Sequence, residues 1–158
     1  MRRLIIVFLV MALVAAFAFL AWIPSAKEPG YRFLLAWGEK GSGPGELDGP
    51  IGIALLGEEV FVSDSGNHRI QVFDRQGNFL RSLGKEGDGP GELGRPMHVD
   101  ARDGRLYVAE YRNDRIQVFA AGGRSLSMIG RSGSGLGEFD APAGVAVDSQ
   151  DRLYVADF

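Results

Sequence analysis

The sequence predicts an all-β fold in which small antiparallel sheets repeat along the chain. Three observations support this prediction: motifs that recur at a constant spacing, short apolar segments separated by turn residues, and a high glycine content. Glycine supplies 23 of the 158 residues, about twice its average share of about 7%. Proline and glycine together supply 30 residues, about 19%, which is below the share of about 25–30% typical of disordered chains. We therefore expect a folded, turn-rich protein.

The constant spacing is 46 residues, and three independent motifs share it. GPGEL begins at Gly43 and at Gly89, and the related GLGEF begins at Gly135. RIQVF begins at Arg69 and again at Arg115. The third motif reads FLLAWG, FLRSLG and SLSMIG in its three copies. A fixed period between about 20 and 50 residues indicates a repeat architecture.

One period contains four short strands, which are clearest in the second copy. They are predicted at Pro96 to Ala101, Arg105 to Glu110, Arg115 to Ala120 and Ser125 to Ile129. Asp-Gly, Asn-Asp and Gly-Gly pairs separate them, and these residues tolerate the positive φ of tight turns between antiparallel strands. The second strand is apolar on both faces, so each sheet should pack between two neighbours. Radial stacking of four-stranded sheets, a β-propeller, provides this arrangement.

The repeat resembles the NHL repeat. The strings GSGPGELDGPIGIA and VFVSDSGNHRIQVFDRQGNFLRSLG carry its Gly-rich start, its Pro-x-Gly first strand, its second strand ending in Asp and its Asn-x-Arg-Ile-Gln-Val-Phe third strand. The resemblance covers 33–158 and implies a propeller, a fold that in this family usually has about six blades. The second copy departs from the pattern at Glu110, where the others have Asp64 and Asp157. It also has His98 where the others have glycine.

About 2.6 periods follow the N-terminal segment, with repeats near 39–84, 85–130 and 131–158. The third copy includes two predicted strands up to Phe158, so we expect 33–158 to form part of a larger ring. Phe33 to Trp37 resembles an isolated fourth strand that would complete the ring's final blade.

The N-terminal segment has a different character. Leu4 to Ile23 is a run of twenty apolar residues, which as a helix would span about 30 Å, the thickness of a bilayer's hydrocarbon core. Arg2 and Arg3 precede it, which favours a cytoplasmic N-terminus and an extracytoplasmic remainder. We interpret residues 1–23 as a signal anchor, since the run exceeds the 7–15 residues or so of a signal peptide. The alternative, a cleaved signal peptide, predicts secretion. Residues 24–32 are predicted to be a spacer.

Composition excludes several classes of function. The chain has no cysteine, which excludes disulfides, thiolate-bound metals and thiol catalysis. After Ile23 it has 15 basic and 20 acidic residues, a net charge of −5. Nucleic-acid binding requires a concentrated excess of Lys and Arg, so we expect no nucleic-acid partner. We also expect no cofactor.

Two apparent motifs are better explained by the repeat. The Gly-rich strings resemble a phosphate-binding loop, but such loops precede a helix and these precede a strand, so we interpret them as turns between blades. Ser63, Asp64, Ser65 and His68 include the residue types of a hydrolase triad. A triad is defined by geometry, and no nucleophile elbow accompanies them, so we assign no catalytic residue.

Polar residues recur at the turn between the second and third strands. The set comprises Asp64, Asn67, Arg69, Glu110, Asn113, Arg115 and Asp157. Because it repeats blade by blade, we interpret it as a structural network in which Asn and Asp bind local backbone. His98 lies on a first strand, the strand nearest the axis of a propeller. It is either a hydrogen-bonded structural histidine or a channel-facing metal ligand.

Two functions are consistent with these features. The first is an extracytoplasmic binding scaffold, tethered to the membrane, whose ligand is a protein, peptide or glycan. The alternative is a propeller enzyme of the lyase or lactonase type, with a metal in the central channel and most of its site on blades outside this chain.

Overall fold

The computed structural model describes residue 30 and residues 32–158. The predicted anchor, Leu4 to Ile23, and most of the predicted spacer lie outside these residues. In the part of the chain that is described, no helix has the length and apolar character needed to cross a membrane. The chain divides into two units, and the strands of the described residues lie in the second, Leu35–Phe158.

The strands of this unit form three antiparallel sheets. The first sheet contains β1 Pro50–Leu56, β2 Glu59–Asp64, β3 Arg69–Asp74 and β4 Phe79–Leu83. The second sheet contains β5 Pro96–Arg102, β6 Arg105–Glu110, β7 Arg115–Ala120 and β8 Ser125–Ile129. The third sheet pairs β9 Gly144–Val147 with β10 Leu153–Ala156. A single turn of 3-10 helix, Ser65–Asn67, joins β2 to β3.

These sheets confirm the predicted all-β class and the four-stranded antiparallel unit. Three strands of the second copy have the predicted bounds, and β5 extends one residue further than predicted, to Arg102. The two complete sheets also share their irregularities. A register shift lies between Val72 and Phe73 in one and between Val118 and Phe119 in the other. The repeat in the sequence is therefore a repeat in backbone geometry.

The segment Phe33 to Trp37, predicted to be the isolated fourth strand of a final blade, pairs with no strand among the described residues. A fourth strand needs a third strand of its own sheet to pair with, and β3 and β7 already pair on both edges. Trp37 nevertheless packs on Gly77, with its ring centroid 6.2 Å from that of Phe73. Leu83 of β4 packs on Gly123 of the second sheet in the same way. Trp37 therefore takes the position of a fourth-strand side chain without belonging to a ladder.

The apolar core lies between consecutive sheets. In the first seam, where the first sheet meets the second, Phe61 and Val99 belong to one buried cluster. In the second seam, where the second sheet meets β9 and β10, Tyr107 and Val145 share a cluster. Fully burying a side chain of this size contributes about 1.5–3 kcal/mol. Each seam therefore stabilises both of the sheets that meet at it.

The first strands β1 and β5 lie close together at Gly52. A Cβ at this position would lie 2.7 Å from the carbonyl oxygen of Met97 and 2.8 Å from the Cα of His98. The N–H of Gly52 donates to the Ser63 hydroxyl at 2.6 Å, and that hydroxyl donates in turn to the Met97 carbonyl. Glycine is required here because the backbone of β5 occupies the space of a side chain.

We predict that Gly52→Ala destabilises the full chain by about 1–3 kcal/mol, the usual cost of overpacking. Thermal unfolding of the full chain measures the effect. The matched control is Gly122→Ala, where an added Cβ meets nothing within 4 Å. Equal melting temperatures for the two variants would contradict the close contact between β1 and β5.

The connection between β9 and β10 is closed by one carboxylate. Asp148 accepts hydrogen bonds from the N–H groups of Gln150 and Arg152, both at 2.9 Å, and from the Tyr154 hydroxyl at 3.1 Å. The backbone N–H of Arg152 contributes most to lowering the pKa of Asp148 from 3.8 to about 2. The charged form of Asp148 therefore holds the turn together.

We predict that this turn keeps its full stability above about pH 3.8 and loses it as the pH falls through about 2, because the folded-state pKa is depressed. An NMR titration that follows the amide signals of Gln150 and Arg152 measures the transition. In Asp148→Asn, which keeps an acceptor oxygen but does not titrate, the transition should disappear. A midpoint near 3.8 in the unmodified chain would contradict the prediction.

Candidate functional site

The predicted polar set of the first repeat surrounds one buried carboxylate. Asp64, at the end of β2, is 0% exposed. It accepts hydrogen bonds from the Asp48 N–H at 2.7 Å, from Asn67 Nδ2 at 2.9 Å and from Arg69 Nε at 2.8 Å. Asn67 lies in the turn after β2 and Arg69 begins β3, so both residues are close to the carboxylate in sequence as well as in space.

The same side chains bind the glycine-rich loop that precedes β1. Arg69 Nη2 donates to the carbonyl of Gly43 at 2.8 Å, and Asn67 Nδ2 donates to the carbonyl of Gly41 at 2.9 Å. These carbonyls lie 26 residues earlier in the sequence. The network therefore joins the loop to the turn between the second and third strands, a long-range role beyond the local one that the sequence predicted.

The second repeat has the same network around a longer acid. Glu110 is also 0% exposed. Its carboxylate accepts from Asn113 Nδ2 at 2.6 Å, from Arg115 Nε at 2.8 Å and from the Gly94 N–H at 2.9 Å. Replacing aspartate by glutamate thus leaves every class of partner in place. In the third repeat, Asp157 is exposed and accepts from the Asp140 N–H at 3.0 Å.

Sequence reasoning missed one member of each network, the glutamine of RIQVF. Gln71 and Gln117 are 0% exposed. Gln117 Nε2 donates to Glu110 at 2.7 Å, and its Oε1 accepts from the Gly91 N–H at 2.7 Å. Gln71 makes the corresponding bonds to Asp64 and to the N–H of Gly45. The sequence did contain a sign of this role, because the same polar glutamine recurs inside two otherwise apolar strands.

The glutamate of the GPGEL motif closes the loop locally. Glu46 accepts from the N–H of the residue three positions earlier at 2.8 Å, and Glu92 and Glu138 do the same at 3.0 and 2.9 Å. The Gly89 N–H is the main group that lowers the pKa of Glu92, and the Gly135 N–H does so for Glu138. The glycine-rich strings thus form compact loops whose N–H groups already bind carboxylates of the chain itself.

The residue types of a hydrolase triad are not assembled into one. The Ser63 hydroxyl binds across the first seam to Met97, while His68 Nδ1 accepts the N–H of Arg95 at 3.0 Å. Asp64 accepts its hydrogen bonds within the network described above. Each group therefore has a separate bonding role.

A hydrogen bond of the His68 type recurs at the second seam and was not predicted. Asp114 stands 46 residues after His68, and its carboxylate accepts the N–H of Ala141 at 2.9 Å. Ala141 stands 46 residues after Arg95. All four residues have positive φ, between 48° and 61°. This bond joins the turn of one sheet to the loop of the next, so it fixes the spacing of neighbouring repeats.

His98 lies at the second seam, on β5. Its Nδ1 is 2.9 Å from the carbonyl oxygen of Val145 on β9. Because a carbonyl only accepts, Nδ1 carries the proton in this bond and Nε2 of the neutral ring carries a lone pair. Among residues 30 and 32–158, no cluster of three or more His, Asp or Glu side chains is placed to hold a metal ion.

We predict that Arg115→Ala destabilises the full chain by about 3–5 kcal/mol, because it leaves the buried Glu110 carboxylate without its cation. Arg105→Ala removes an exposed arginine from the same sheet and is the matched control, expected to unfold almost as the unmodified chain does. Urea unfolding measures both.

The double variant Arg115→Ala with Glu110→Gln tests the cause. Removing the charge as well should recover part of the lost stability. Unchanged unfolding in Arg115→Ala, with an effect confined to ligand binding, would show that Arg115 acts in recognition instead.

Curated relatives match short segments of the chain. Protein lin-41 of Caenorhabditis elegans is 46% identical over 48 residues, covering 30% of this chain and 4% of lin-41. The E3 ubiquitin-protein ligase TRIM32 of Mus musculus is 48% identical over 46 residues, covering 28% of this chain and 7% of TRIM32. The chain therefore spans less than a tenth of the length of these two relatives.

A solved structure supports the fold. A protein from Bacteroides fragilis, described as predicted to be exported, superposes with a TM-score of 0.57 at 19% identity. The match covers 73% of this chain and 31% of that protein. At this identity the likeness concerns the fold alone.

Family models match parts of all three repeats. The NHL repeat model matches residues 47–73, from the end of the first glycine-rich loop to β3. A model described as a 6-bladed beta-propeller matches residues 92–158, from the second glycine-rich loop onward. The matches, the 46-residue period and the stacked four-stranded sheets all indicate the same repeat architecture. The chain therefore carries NHL-type β-propeller repeats.

Proposed function

We propose that this chain is an extracytoplasmic interaction scaffold, a β-propeller held at the membrane by its N-terminal segment. The observation that carries the proposal is the buried network at Asp64 and Glu110. Through it, the glycine-rich loops are hydrogen-bonded to the strands rather than free to move. Fixed loops lower the entropy lost on binding, so they suit the recognition of a macromolecular ligand. NHL repeats generally mediate protein interactions, which agrees with this role.

The proposed contact surface is the loop end of the second seam. The Arg95 guanidinium lies 5.3 Å from the centroid of the Tyr111 ring, which meets Phe158 edge to face at 6.2 Å. Arg112, beside them, is exposed. Arginine and tyrosine are the residue types enriched among interface hot spots. Because His68 binds the backbone of Arg95, this group of side chains is held on a fixed support.

The proposed ligand is a protein or peptide. Stacked arginine and aromatic side chains bury large areas and offer donors to carboxylate and carbonyl oxygens. The net charge of −5 after Ile23 makes a nucleic-acid ligand unfavourable. The activity in the name of TRIM32 is not extended to this chain, because the matched segment is 7% of that protein.

We predict that Tyr111 contacts the ligand. With a photoreactive benzophenone amino acid at position 111 of the full chain, illumination in cells should give an adduct of defined mass. Adding Arg95→Ala should reduce its yield at least tenfold. The same amino acid at position 80, on exposed β4, is the control and should give no such adduct. Equal adducts at both positions would contradict the proposed surface.

We predict that a reporter fused after Gly30 is active only outside the cytoplasm and remains with the membrane fraction. The reasons are the apolar run Leu4 to Ile23 and the arginines before it. Soluble processed protein would contradict the anchor and leave export intact. Reporter activity in the cytoplasm would contradict both.

A further inference from the structure

The His68 ring lies between the first and second repeats and has a partner at each of its nitrogens. Its Nδ1 accepts the backbone N–H of Arg95 at 3.0 Å, and its Nε2 lies 3.6 Å from Oε1 of Glu86. A ring nitrogen that accepts a hydrogen bond has no proton, so the neutral ring carries its proton on Nε2, next to the Glu86 carboxylate. The side chain is 13% exposed. The two partners therefore fix both the position and the tautomer of the ring.

Arg95 connects this histidine to the proposed contact surface. Its carbonyl accepts the N–H of Tyr111 at 3.2 Å, and its guanidinium lies 5.3 Å from the centroid of the Tyr111 ring. Its backbone has a φ of 55°, in the left-handed region that residues other than glycine rarely adopt. The bond to His68 thus holds Arg95 in a strained conformation, and the place of its guanidinium over Tyr111 depends on that bond.

Protonation of His68 removes the acceptor of this bond. Histidine is the side chain whose charge ordinarily changes between about pH 5 and 8. The imidazolium carries a proton on both nitrogens, so its Nδ1–H would face the N–H of Arg95. Two donors cannot bind each other. The ring and the Arg95 backbone must therefore separate when the ring gains its second proton.

Charged groups reach the surroundings of the ring from three neighbouring segments. The Glu86 carboxylate, from the loop after β4, favours the imidazolium, and Arg112 lies with its Nη1 3.8 Å from the same Glu86 oxygen and opposes it. The Arg95 guanidinium lies over Tyr111. On the turn of His68 itself, Asp64 and Arg69 pair with each other at 2.8 Å. Glu86 is thus the carboxylate placed to accept from the charged ring.

The corresponding bond at the second seam does not depend on a histidine. There the Asp114 carboxylate accepts the N–H of Ala141 at 2.9 Å. Aspartate is ordinarily ionised throughout the range from about pH 5 to 8, so it remains an acceptor. The chain therefore contains two copies of one bond, and a histidine accepts in one of them only.

The second histidine of the chain uses its ring in the opposite way. His98 donates from Nδ1 to the carbonyl of Val145, and its Nε2 has the lone pair. A proton gained at Nε2 leaves that donor in place. Of the two histidines, His68 is thus the one whose hydrogen bond to the backbone is lost on protonation.

We propose that the bond between His68 and Arg95 is a pH-sensitive latch on the contact surface. The latch is closed at neutral pH, opens as the pH falls from about 8 to 5, and then frees Arg95 from its place over Tyr111. This regulation rests on the proposed function, because the surface that it alters is the one proposed to bind a protein or peptide. The ligand is bound while the latch is closed and released when it opens.

An NMR titration of the full chain without ligand tests the latch. The ring nitrogens of His68 report its protonation, and the amide of Arg95 reports the bond. We expect the Arg95 amide signal to move together with the His68 ring between about pH 8 and 5, while the Ala141 amide at the second seam stays constant. An Arg95 amide signal that stays constant over this range would overturn the proposal.

Two variants exchange the acceptors of the seams. His68→Asp copies the second seam, so the Arg95 amide should no longer respond to pH. Asp114→His copies the first seam, at a φ of 48° that is close to the 54° of His68, and should make the Ala141 amide respond. An Arg95 amide that still titrates in His68→Asp would show that another group causes its response and would overturn the proposal.

Photocrosslinking at position 111, in cell lysates at about pH 7.5 and about pH 5.5, tests the effect on the ligand. We expect the adduct yield to fall at least tenfold at the lower pH, and to be equal at both pH values in His68→Asp. An equal yield at both pH values in the chain with native His68 would overturn the regulation and leave the proposed function intact. A pH-dependent Arg95 amide with no adduct at either pH would contradict the proposed function, and with it the release of the ligand, but would confirm the latch.

Discussion

Each complete repeat depends on one buried carboxylate at the end of its second strand. A charge removed from water costs several kcal/mol unless it is paired and hydrogen-bonded, and Asp64 and Glu110 are both 0% exposed. Their partners come from three places: the following turn, the third strand and the glycine-rich loop 16 residues earlier. These elements cannot separate without leaving the charge unpaired. The carboxylate therefore converts a flexible glycine-rich loop into a fixed part of the blade.

The strands and the polar set were predictable because their signals are local. The 46-residue period located each copy, and Arg115 to Ala120 could be read as a strand from its own residues. The partners of the polar set could not be read, because they lie 23 to 27 residues away and depend on how the loop folds back. The bond from Arg95 to His68 was missed for the same reason. Phe33 to Trp37 has the motif of a fourth strand but pairs with no strand among the described residues, because strand formation requires a partner ladder.

The two seams have the same arrangement of strands. They differ in the hydrogen bonds that cross them, at positions where the sequence departs from the repeat. At the first seam, Gly52 lets the strands meet backbone to backbone, and Ser63 bridges them by its hydroxyl. At the second seam, His98 replaces the glycine, and its ring reaches the carbonyl of Val145. Ala109 replaces the bridging serine there. The second seam thus departs from the first at two positions, His98 and Ala109.

The apolar faces that pack together at the seams also determine which side chains are exposed on the outer sheets. In a stack of repeats, stability is roughly the sum of each unit and its contacts with neighbours. An aromatic residue such as Tyr107 gains its stabilisation only from the sheet beyond it. Tyr154, at the corresponding position of the two-stranded third sheet, has the same side chain and is 51% exposed, with no sheet beyond it among the described residues. Its exposed ring follows from the same pattern that buries Tyr107, so the apolar character of the outer faces is a direct consequence of the rule that holds the seams together.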